Sequence, residues 1–165
     1  MEVDSRVNSG GFKGDIDQYI KFDIADQTFG IDVLSSREIV RAEEITVIPD
    51  SPDFVKGVID LRNEIVPIVS LQERFNMAVG GEDKQKEKKI IIIAIDDTLL
   101  GLEVNEVEEI VKITSEEIQK APEITRKFKK DYIKGVAKLE DSLLVILAVQ
   151  KIFSGDEIEE IKGIK

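Results

Sequence analysis

The sequence contains no cysteine and no histidine, and these two absences exclude several kinds of chemistry at once. Without cysteine there is no disulfide, no thiolate nucleophile and no zinc–thiolate site. Without histidine the commonest general base, metal ligand and pH switch is missing, so Ser-His-Asp and Cys-His catalysis are impossible. No two-carboxylate constellation and no glycine-rich phosphate loop is visible. We therefore expect a protein with no enzymatic activity and no cofactor.

Tryptophan is also absent, tyrosine occurs only twice, and the formal net charge at pH 7 is −11. Because a nucleic-acid interface needs clustered positive charge, we expect no nucleic-acid partner. The longest apolar stretches, 90–95 and 143–149, are far shorter than the ~20 residues that span a bilayer. No basic region followed by an apolar core opens the chain. We expect a cytoplasmic protein that does not insert into a membrane.

Alternating apolar and polar residues dominate the sequence, and this pattern is typical of half-buried strands. Ile20, Phe22 and Ile24 alternate with charged side chains in the first such segment. The segments that resemble strands are 19–24, 29–33, 54–61, 64–71 and 90–95. Arg62 and Asn63 separate two of them, and because Asn tolerates positive φ, we expect a tight hairpin there.

Helical signals are few and short. Thr114 is followed three residues later by Glu117, and Ser154 by Glu157, and each pair has the spacing of a capping box. The sequence therefore predicts a mainly β chain with short helices near 115–121 and 155–162.

An internal repeat is the most informative feature of the sequence, and repeats decide the architecture of a chain. Two pairs of segments match at an offset of 71 and a third pair at an offset of 78: 29–33 with 100–104, 38–41 with 109–112, and 54–75 with 132–153. In the third pair seven of 22 residues are identical. The seven extra residues of the second copy lie between Lys112 and Tyr132. The chain therefore reads as one β unit that has been duplicated.

The repeat and the changes in composition predict the organisation of the chain. Each β unit has about 60 residues, a size that is marginally stable alone, so two small barrels packed on one another are expected. The predicted segments are a flexible tail at 1–16, a first β-barrel repeat at 17–78, a charged connecting loop at 79–89, a second repeat at 90–153, and a short C-terminal helix and tail at 154–165.

The matching positions indicate which backbone features the two copies share and where they differ. Gly57 and Gly135 interrupt strand patterns, where glycine marks a bulge, a bend or a close approach of backbones. Arg62 in the first hairpin corresponds to Glu140 in the second, a reversal of charge. Pro67 has no N–H to donate, so its strand is expected to be an edge or bulged, and a partner could cover such an edge. The alternative is that Arg62 is a solvated loop charge and that Pro67 only guards against aggregation.

The segment 54–71, with Phe-Val-Lys-Gly-Val-Ile-Asp-Leu-Arg-Asn-Glu-Ile-Val-Pro-Ile-Val-Ser-Leu, resembles the signature block of CheW-type chemotaxis coupling proteins. The segments 29–33 and 38–40 and the Ile-Pro pair at 48–49 fit the same resemblance, which extends from about residue 19 to 153. The family usually has Asn-Leu-Arg-Gly at the hairpin tip, whereas this chain has Asp-Leu-Arg-Asn at 60–63. Asparagine keeps access to positive φ, while the aspartate adds a negative charge beside the arginine.

The resemblance implies a single CheW-like domain made of two five-stranded SH3-like β-barrels, tandem or intertwined, around a shared hydrophobic core. It also implies a non-enzymatic adaptor. Members of the family link the cytoplasmic tips of methyl-accepting chemoreceptors to the regulatory domain of the histidine kinase CheA, and this recruits them to receptor arrays at the membrane.

The resemblance further suggests which residues contact the partners. The first-copy hairpin is expected at or near a partner surface, and a second set is expected to border an apolar groove for a receptor tip. The hairpin residues are Gly57, Leu61, Arg62, Asn63 and Pro67, and the groove residues are Val33, Glu38, Ile39 and Val104. Ordinary core packing is the alternative for Val33 and Val104, because inward-facing strand residues are normally core.

Two other functions remain open at this point. A scaffold of similar fold could serve another two-component sensory pathway, and a small-barrel module could bind a peptide or an oligonucleotide. The charge of −11 disfavours the oligonucleotide.

Overall fold

The computed structural model describes residues 16–42, 45–77, 88–120 and 132–164. Residues 1–15 of the predicted tail and most of the predicted charged loop lie outside these residues, and Ile16, the last residue of the predicted tail, instead begins the first strand. The strands are β1 (Ile16–Ile24), β2 (Gln27–Asp32), β3 (Ser36–Arg41), β4 (Val55–Leu61), β5 (Glu64–Ser70), β6 (Lys89–Ile95), β7 (Thr98–Val104), β8 (Glu106–Thr114), β9 (Ile118–Gln119), β10 (Ile133–Lys138) and β11 (Leu143–Leu147). The helices are α1 (Leu71–Arg74) and α2 (Gly155–Lys162), with 3₁₀ turns at Val33–Ser35, Ser115–Glu117 and Val149–Lys151.

The local predictions agree closely with these elements. Leu61 lies opposite Glu64, so Arg62 and Asn63 form a two-residue turn, and their φ angles of 51° and 69° are both positive, as a type I′ hairpin requires. The C-terminal capping box is formed: the Ser154 amide donates to Glu157 Oε1 at 2.8 Å, and the Glu157 amide donates to Ser154 Oγ at 3.1 Å. The hairpin and α2 are thus confirmed.

The strands form two sheets. The six-stranded sheet has the order β8-β1-β2-β11-β10-β9, and the five-stranded sheet has the order β3-β6-β7-β5-β4. Under the sequence repeat, β1, β2 and β3 correspond to β6, β7 and β8, and β4 and β5 correspond to β10 and β11. Five strands of the larger sheet therefore have the same order as the five strands of the smaller one.

The register confirms the duplication. Each sheet has one parallel pairing at its centre, in which Ile68 lies opposite Gly101 in one sheet and Ile146 opposite Gly30 in the other. These residues are equivalent at the offsets of 71 and 78. Each sheet combines strands from both repeats, so the sequence segments 17–78 and 90–153 do not form separate sheets, and the barrels are intertwined.

Three clusters of buried side chains correspond to two barrel interiors and one shared core. The first interior contains Ile59, Val66, Ile68, Ile90 and Ile92, and the second contains Tyr19, Ile113, Ala137, Leu144 and Ile146. A larger cluster of 23 buried residues joins both sheets and α2. The run at 90–95 is continuously apolar because it is buried on both faces: Ile90 and Ile92 face a barrel interior, and Ile91 and Ile93 face the shared core.

Gly57 and Gly135 are needed for the same close approach in the two copies. A Cβ atom at Gly57 would collide with the carbonyl oxygen of Thr46 and would lie 2.7 Å from Ile45 Cγ2. A Cβ atom at Gly135 would collide with Ile118 Cγ2 and lie 2.7 Å from the carbonyl oxygen of Gln119. The ladders are also irregular at both glycines. The expectation of a bulge and a close backbone approach is confirmed.

The structure corrects the prediction that Pro67 lies on an edge strand. β5 lies between β4 and β7, so its strand is internal. Pro67 lies opposite Val58, whose N–H and carbonyl both bond to Thr46, at 2.9 and 2.8 Å. The β4–β5 ladder therefore needs no donor at this position, and the pairing of β5 with β7 begins one residue later, at Ile68.

The second hairpin is a longer turn than the first: the Leu139 amide donates to the Ser142 carbonyl at 2.8 Å, and Asp141 has no positive φ. One further local expectation differs from the structure. The Thr114 amide donates to Glu117 Oε1 at 2.8 Å as the capping box predicts. This box opens only a single 3₁₀ turn, because Ile118 and Gln119 then pair with β10.

Candidate protein-interaction site

Arg62 and Glu38, two residues that the sequence places 24 positions apart, form a two-pronged ion pair on the surface of the first barrel. Arg62 Nη1 lies 3.2 Å from Glu38 Oε1, and Nη2 contacts Oε2. Glu38 is on β3 and Arg62 follows β4, and these two strands are opposite edges of the five-stranded sheet. The sheet is therefore curled until its edges approach, and the ion pair joins the two edges.

The ion pair is accessible to a partner. The Arg62 side chain is 71% exposed and that of Glu38 is 29% exposed. The hydrogen bond and charge of Glu38 raise the pKa of the Arg62 guanidinium, a group that is positively charged in proteins in any case. An exposed ion pair contributes little to folding stability. Its two charges in a fixed, fork-like geometry are instead suited to recognition by another protein.

The hairpin tip fixes the position of the arginine. The Asn63 amide donates to Asp60 Oδ1 at 3.0 Å, so the side chain of Asp60 closes the turn. Leu61 is half-buried and packs against the first barrel interior, and Asn63 is exposed.

The structure places the remaining predicted site residues at different depths. Ile39 is 41% exposed on β3, next to Glu38. Gly57 and Pro67 are buried, so they offer no accessible side chain to a partner. Val104 is 2% exposed within the shared core, and Val33 is half-buried against the same cluster. Arg62, Glu38 and Leu61 are thus brought together on one barrel, whereas Ile39, which lies opposite Ile91, is on the other face of β3 from Glu38.

Sequence reasoning missed two strongly exposed apolar side chains. Leu34 is 88% exposed in the 3₁₀ turn after β2, and Val47 is 74% exposed before β4. Exposed apolar groups of this size are typical of interaction surfaces when they are grouped. A comparison of the two copies could have indicated Leu34, because its counterpart at the offset of 71 is the polar and buried Asn105.

The second barrel lacks the ion pair. Glu140 takes the place of Arg62 and Glu109 takes the place of Glu38, so that two acids stand where the first copy has opposite charges. The outward apolar positions are nevertheless kept. Ile39 and Ile65 are 41% and 43% exposed, and their counterparts Ile110 and Leu143 are 56% and 47% exposed. The two barrels therefore share an apolar surface pattern and differ in charge.

Two general properties of the described residues bear on function. No helix among residues 16–42, 45–77, 88–120 and 132–164 is long and apolar enough to cross a membrane. In this same part of the chain, no three acidic side chains are grouped so that they could hold a metal ion.

Comparison with known proteins gives one consistent answer. Residues 18–157 match the family model of the CheW-like domain. Chemotaxis protein CheW of Treponema pallidum is 28% identical over 149 residues, which cover 89% of this chain and 88% of the relative. A probable chemotaxis protein CheW of Rhizobium etli is 31% identical over 142 residues, covering 86% of this chain and 90% of the relative.

A solved structure is similar over nearly the same extent. The crystal structure of the scaffolding protein TtCheW from Thermoanaerobacter tengcongensis superposes with a TM-score of 0.75 at 28% identity, covering 89% of this chain and 94% of that one. A duplicated double β-barrel with a charged hairpin surface is thus the fold of a signalling scaffold. The chain belongs to the CheW-like domain family and is a chemotaxis adaptor.

Proposed function

We propose that this chain links the cytoplasmic tips of methyl-accepting chemoreceptors to the regulatory domain of the histidine kinase CheA, in the cytoplasm and without catalytic activity of its own. The main support for this proposal is the exposed Arg62–Glu38 ion pair on the first barrel. The equivalent positions of the second barrel hold two acidic residues. Outer faces that share an apolar pattern but differ in charge are suited to two different partners.

The geometry of the hairpin favours a specific contact between Arg62 and a partner over the alternative that Arg62 is only a solvated loop charge. Its arginine is held by Glu38 and its turn is closed by Asp60, so little side-chain and loop freedom remains to be lost on binding. The exposed Ile39 lies on the other face of β3 from Glu38, so it adds apolar area to the outside of the same strand and not to the ion pair itself.

The mechanism that follows is geometric. The intertwined sheets and the shared core join the two barrels, so a partner on one barrel is held at a fixed position relative to a partner on the other. Linking receptor and kinase in this way raises the effective concentration of each near the other. A change in receptor conformation then alters kinase activity through the position of the adaptor.

The experiment is co-elution and titration calorimetry of the full chain with a CheA regulatory domain and with a receptor-tip fragment. Arg62→Ala is expected to weaken binding to at least one fragment by about tenfold or more, because a charge that is desolvated at an interface is costly to truncate. Arg37→Ala, at an exposed arginine on the same strand as Glu38, is the matched control and should bind normally.

Thermal unfolding of each variant separates loss of contact from loss of fold. Unchanged affinity of a folded Arg62→Ala variant for both fragments would reject the role given to this surface. Failure of the unmodified chain to bind either fragment would reject the receptor–kinase assignment and favour service to another sensory pathway.

A further inference from the structure

An open cleft lies between the segment that precedes β4 and the end of α2. Its volume is about 460 Å³, which is within the range of ligand pockets. The residues that line it are Ile48, Pro49, Asp50, Ser51 and Pro52 on one wall and Glu160, Gly163 and Ile164 on the other. Arg62 and Glu38 are not among them, so the cleft is distinct from the candidate site on the hairpin.

The first wall of the cleft has a fixed backbone. The Thr46 amide donates to the Val58 carbonyl at 2.8 Å, and the Val58 amide donates to the Thr46 carbonyl at 2.9 Å, which ties the start of the segment to β4. The Val55 amide donates to the Pro52 carbonyl at 3.0 Å near its end. Pro49 and Pro52 restrict φ between these anchors. A wall of this kind has little freedom to lose when a partner binds.

The second wall is the last turn of α2, whose position is also fixed. Ile158 and Ile161 are buried in the shared core, and the Arg74 guanidinium lies 2.6 and 2.8 Å from the carboxylate oxygens of Glu157 at the start of the helix. Residues 158–164 lie beyond the part of the chain that matches the CheW-like family model, which ends at 157. The cleft is therefore completed by residues outside the matched domain.

Much of the lining is apolar. Ile48, Pro49 and Pro52 supply one wall, and Ile164 supplies part of the other. Val47, which immediately precedes the cleft in the chain, is 74% exposed. Burial of this surface against an apolar side chain of a partner is favourable.

The charged residues that line the cleft are both acidic. Asp50 and Glu160, one on each wall, are exposed. The cleft also lies at the carboxyl end of α2, where the terminal carbonyl groups of a helix carry partial negative charge. Lys162 is the cation of this last turn, and it lies 3.5 Å from Glu159. A positive charge on a bound partner is therefore favoured, and a negative charge is disfavoured.

The duplication does not account for this composition. At the offset of 78 the counterparts of residues 48–52 are residues 126–130, which lie outside the described residues and read Arg-Lys-Phe-Lys-Lys. An acidic and apolar segment in the first copy thus corresponds to a basic segment in the second. The chemistry of the cleft is specific to the first copy, and the basic segment makes a second copy of this chain a competing occupant that the experiment must separate.

We propose that this cleft is a docking site for a segment of a partner protein in which an arginine or a lysine lies beside an apolar side chain. The cation meets Asp50 and Glu160, and the apolar side chain packs against Ile48 and the two prolines. Charge complementarity between the acidic walls and the cation selects this class of segment. The proposal concerns a different surface from Arg62 and Glu38, and it holds whether or not the chain serves receptors and CheA.

The test is selection from a phage-displayed library of random 12-residue peptides on the full chain. The selected peptides are expected to carry arginine or lysine next to an apolar residue, and to shift the amide NMR signals of 48–52 and 160–164. The variant D50N/E160Q should bind them about tenfold more weakly and with a smaller dependence on salt, because both carboxylates are gone. Asparagine suits position 50 because Asp50 has a φ of 63°.

The matched control is D97N/E116Q, which removes the same two charges at positions that do not line the cleft. Asp97 has a φ of 65°, and both Asp97 and Glu116 are exposed. This variant should bind the selected peptides as tightly as the wild type. Thermal unfolding shows whether each variant is folded. If D50N/E160Q is not, Glu160→Gln alone serves, and about threefold weaker binding is expected.

Three results would overturn the proposal. The first is a selection that yields no peptides with a cation beside an apolar residue. The second is a set of peptides that bind the cleft variant as tightly as the wild type. The third is salt-sensitive self-association of the wild type in sedimentation that D50N/E160Q abolishes, because the cleft would then hold the basic segment of a second copy and not a partner.

Discussion

The ammonium group of Lys56 lies 2.9 and 3.0 Å from the two carboxylate oxygens of Glu103, whose side chain is only 3% exposed. The equivalent residues of the second copy are Lys134 and Asp32, and each has a different hydrogen-bond partner, although the charge of Asp32 still acts on Lys134. Lys134 lies 3.2 Å from the hydroxyl of Tyr19, and Asp32 accepts the Leu34 amide at 2.9 Å. The first copy thus has a buried carboxylate whose charge is compensated by one lysine, and the second copy has no such ion pair between its equivalent residues.

Lys56→Met is expected to destabilise the fold by about 2 kcal/mol, because it leaves the Glu103 carboxylate buried without its cation. Chemical denaturation measures the loss. Lys134→Met is the matched control and should cost clearly less, since its hydrogen-bond partner is a neutral hydroxyl. The double variant K56M/E103M should recover much of the stability, and equal losses in the Lys56→Met and Lys134→Met variants would contradict this account.

Exchange of the two charges at the candidate site separates the internal contact from partner recognition. The double variant E38R/R62E re-forms an ion pair between β3 and the hairpin, so its unfolding midpoint should match that of the wild type. Partner binding should stay weak, because the charge that the partner meets at position 62 has been reversed. Wild-type affinity in this variant would show that the ion pair acts only within the chain.

Gly57→Ala and Gly135→Ala are each expected to cost about 2 kcal/mol of stability, because the added Cβ meets backbone or a packed isoleucine at both positions. Thermal unfolding gives the comparison. Gly155→Ala is the control, since no heavy atom lies within 4 Å of a Cβ placed there and alanine is the better helix former. A stable Gly57→Ala variant would mean that the loop at 45–46 gives way freely.

Arg74 joins α1 to the C-terminal helix through several contacts. Its guanidinium lies 2.6 and 2.8 Å from the Glu157 carboxylate oxygens, and Nη2 donates to the Ile152 carbonyl at 2.9 Å. It also lies 5.5 Å from the ring centre of Phe54 and 5.2 Å from that of Phe153. A lysine cannot reproduce this planar arrangement, so Arg74→Lys should destabilise α2 almost as much as Arg74→Met.

The same contacts predict a loss of stability in acid. Burial opposes ionisation of Glu157, but the hydrogen bonds from Arg74 and from Ser154 outweigh it and lower the pKa below 4.5. This stabilisation is present above the ordinary pKa and is lost as the pH falls through the lowered one. Glu157→Gln should therefore be less stable than the wild type at neutral pH and should approach it in acid; a constant difference would argue against the ion pair.

Features that depend on neighbouring residues could be predicted from the sequence. The Arg62–Asn63 turn follows from two adjacent positions, and the start of α2 follows from Ser154 and Glu157. The close approach at Gly57 was indicated because Gly135 repeats it. In each case the determining atoms lie within a few residues or recur at a fixed offset.

Features that depend on distant pairing could not be predicted in the same way. Arg62 and Glu38 were both named as site residues, yet their contact depends on the curling of a sheet whose edges they occupy. The internal position of Pro67 depends on β7, which comes from the other repeat. The role of Arg74 depends on Glu157, 83 residues away. No local sequence pattern indicates where such distant partners lie.

The exchange of strands between the repeats has a consequence for dissecting the molecule. A chain cut between Met77 and Lys88 gives two pieces, and each carries strands of both sheets but completes neither. Such pieces would leave β2 without β11 and β5 without β7 when separate, and mixing them would restore both pairings. The halves of this adaptor are therefore suited to fragment complementation, in which two polypeptides that cannot fold separately regain the native structure when they are mixed.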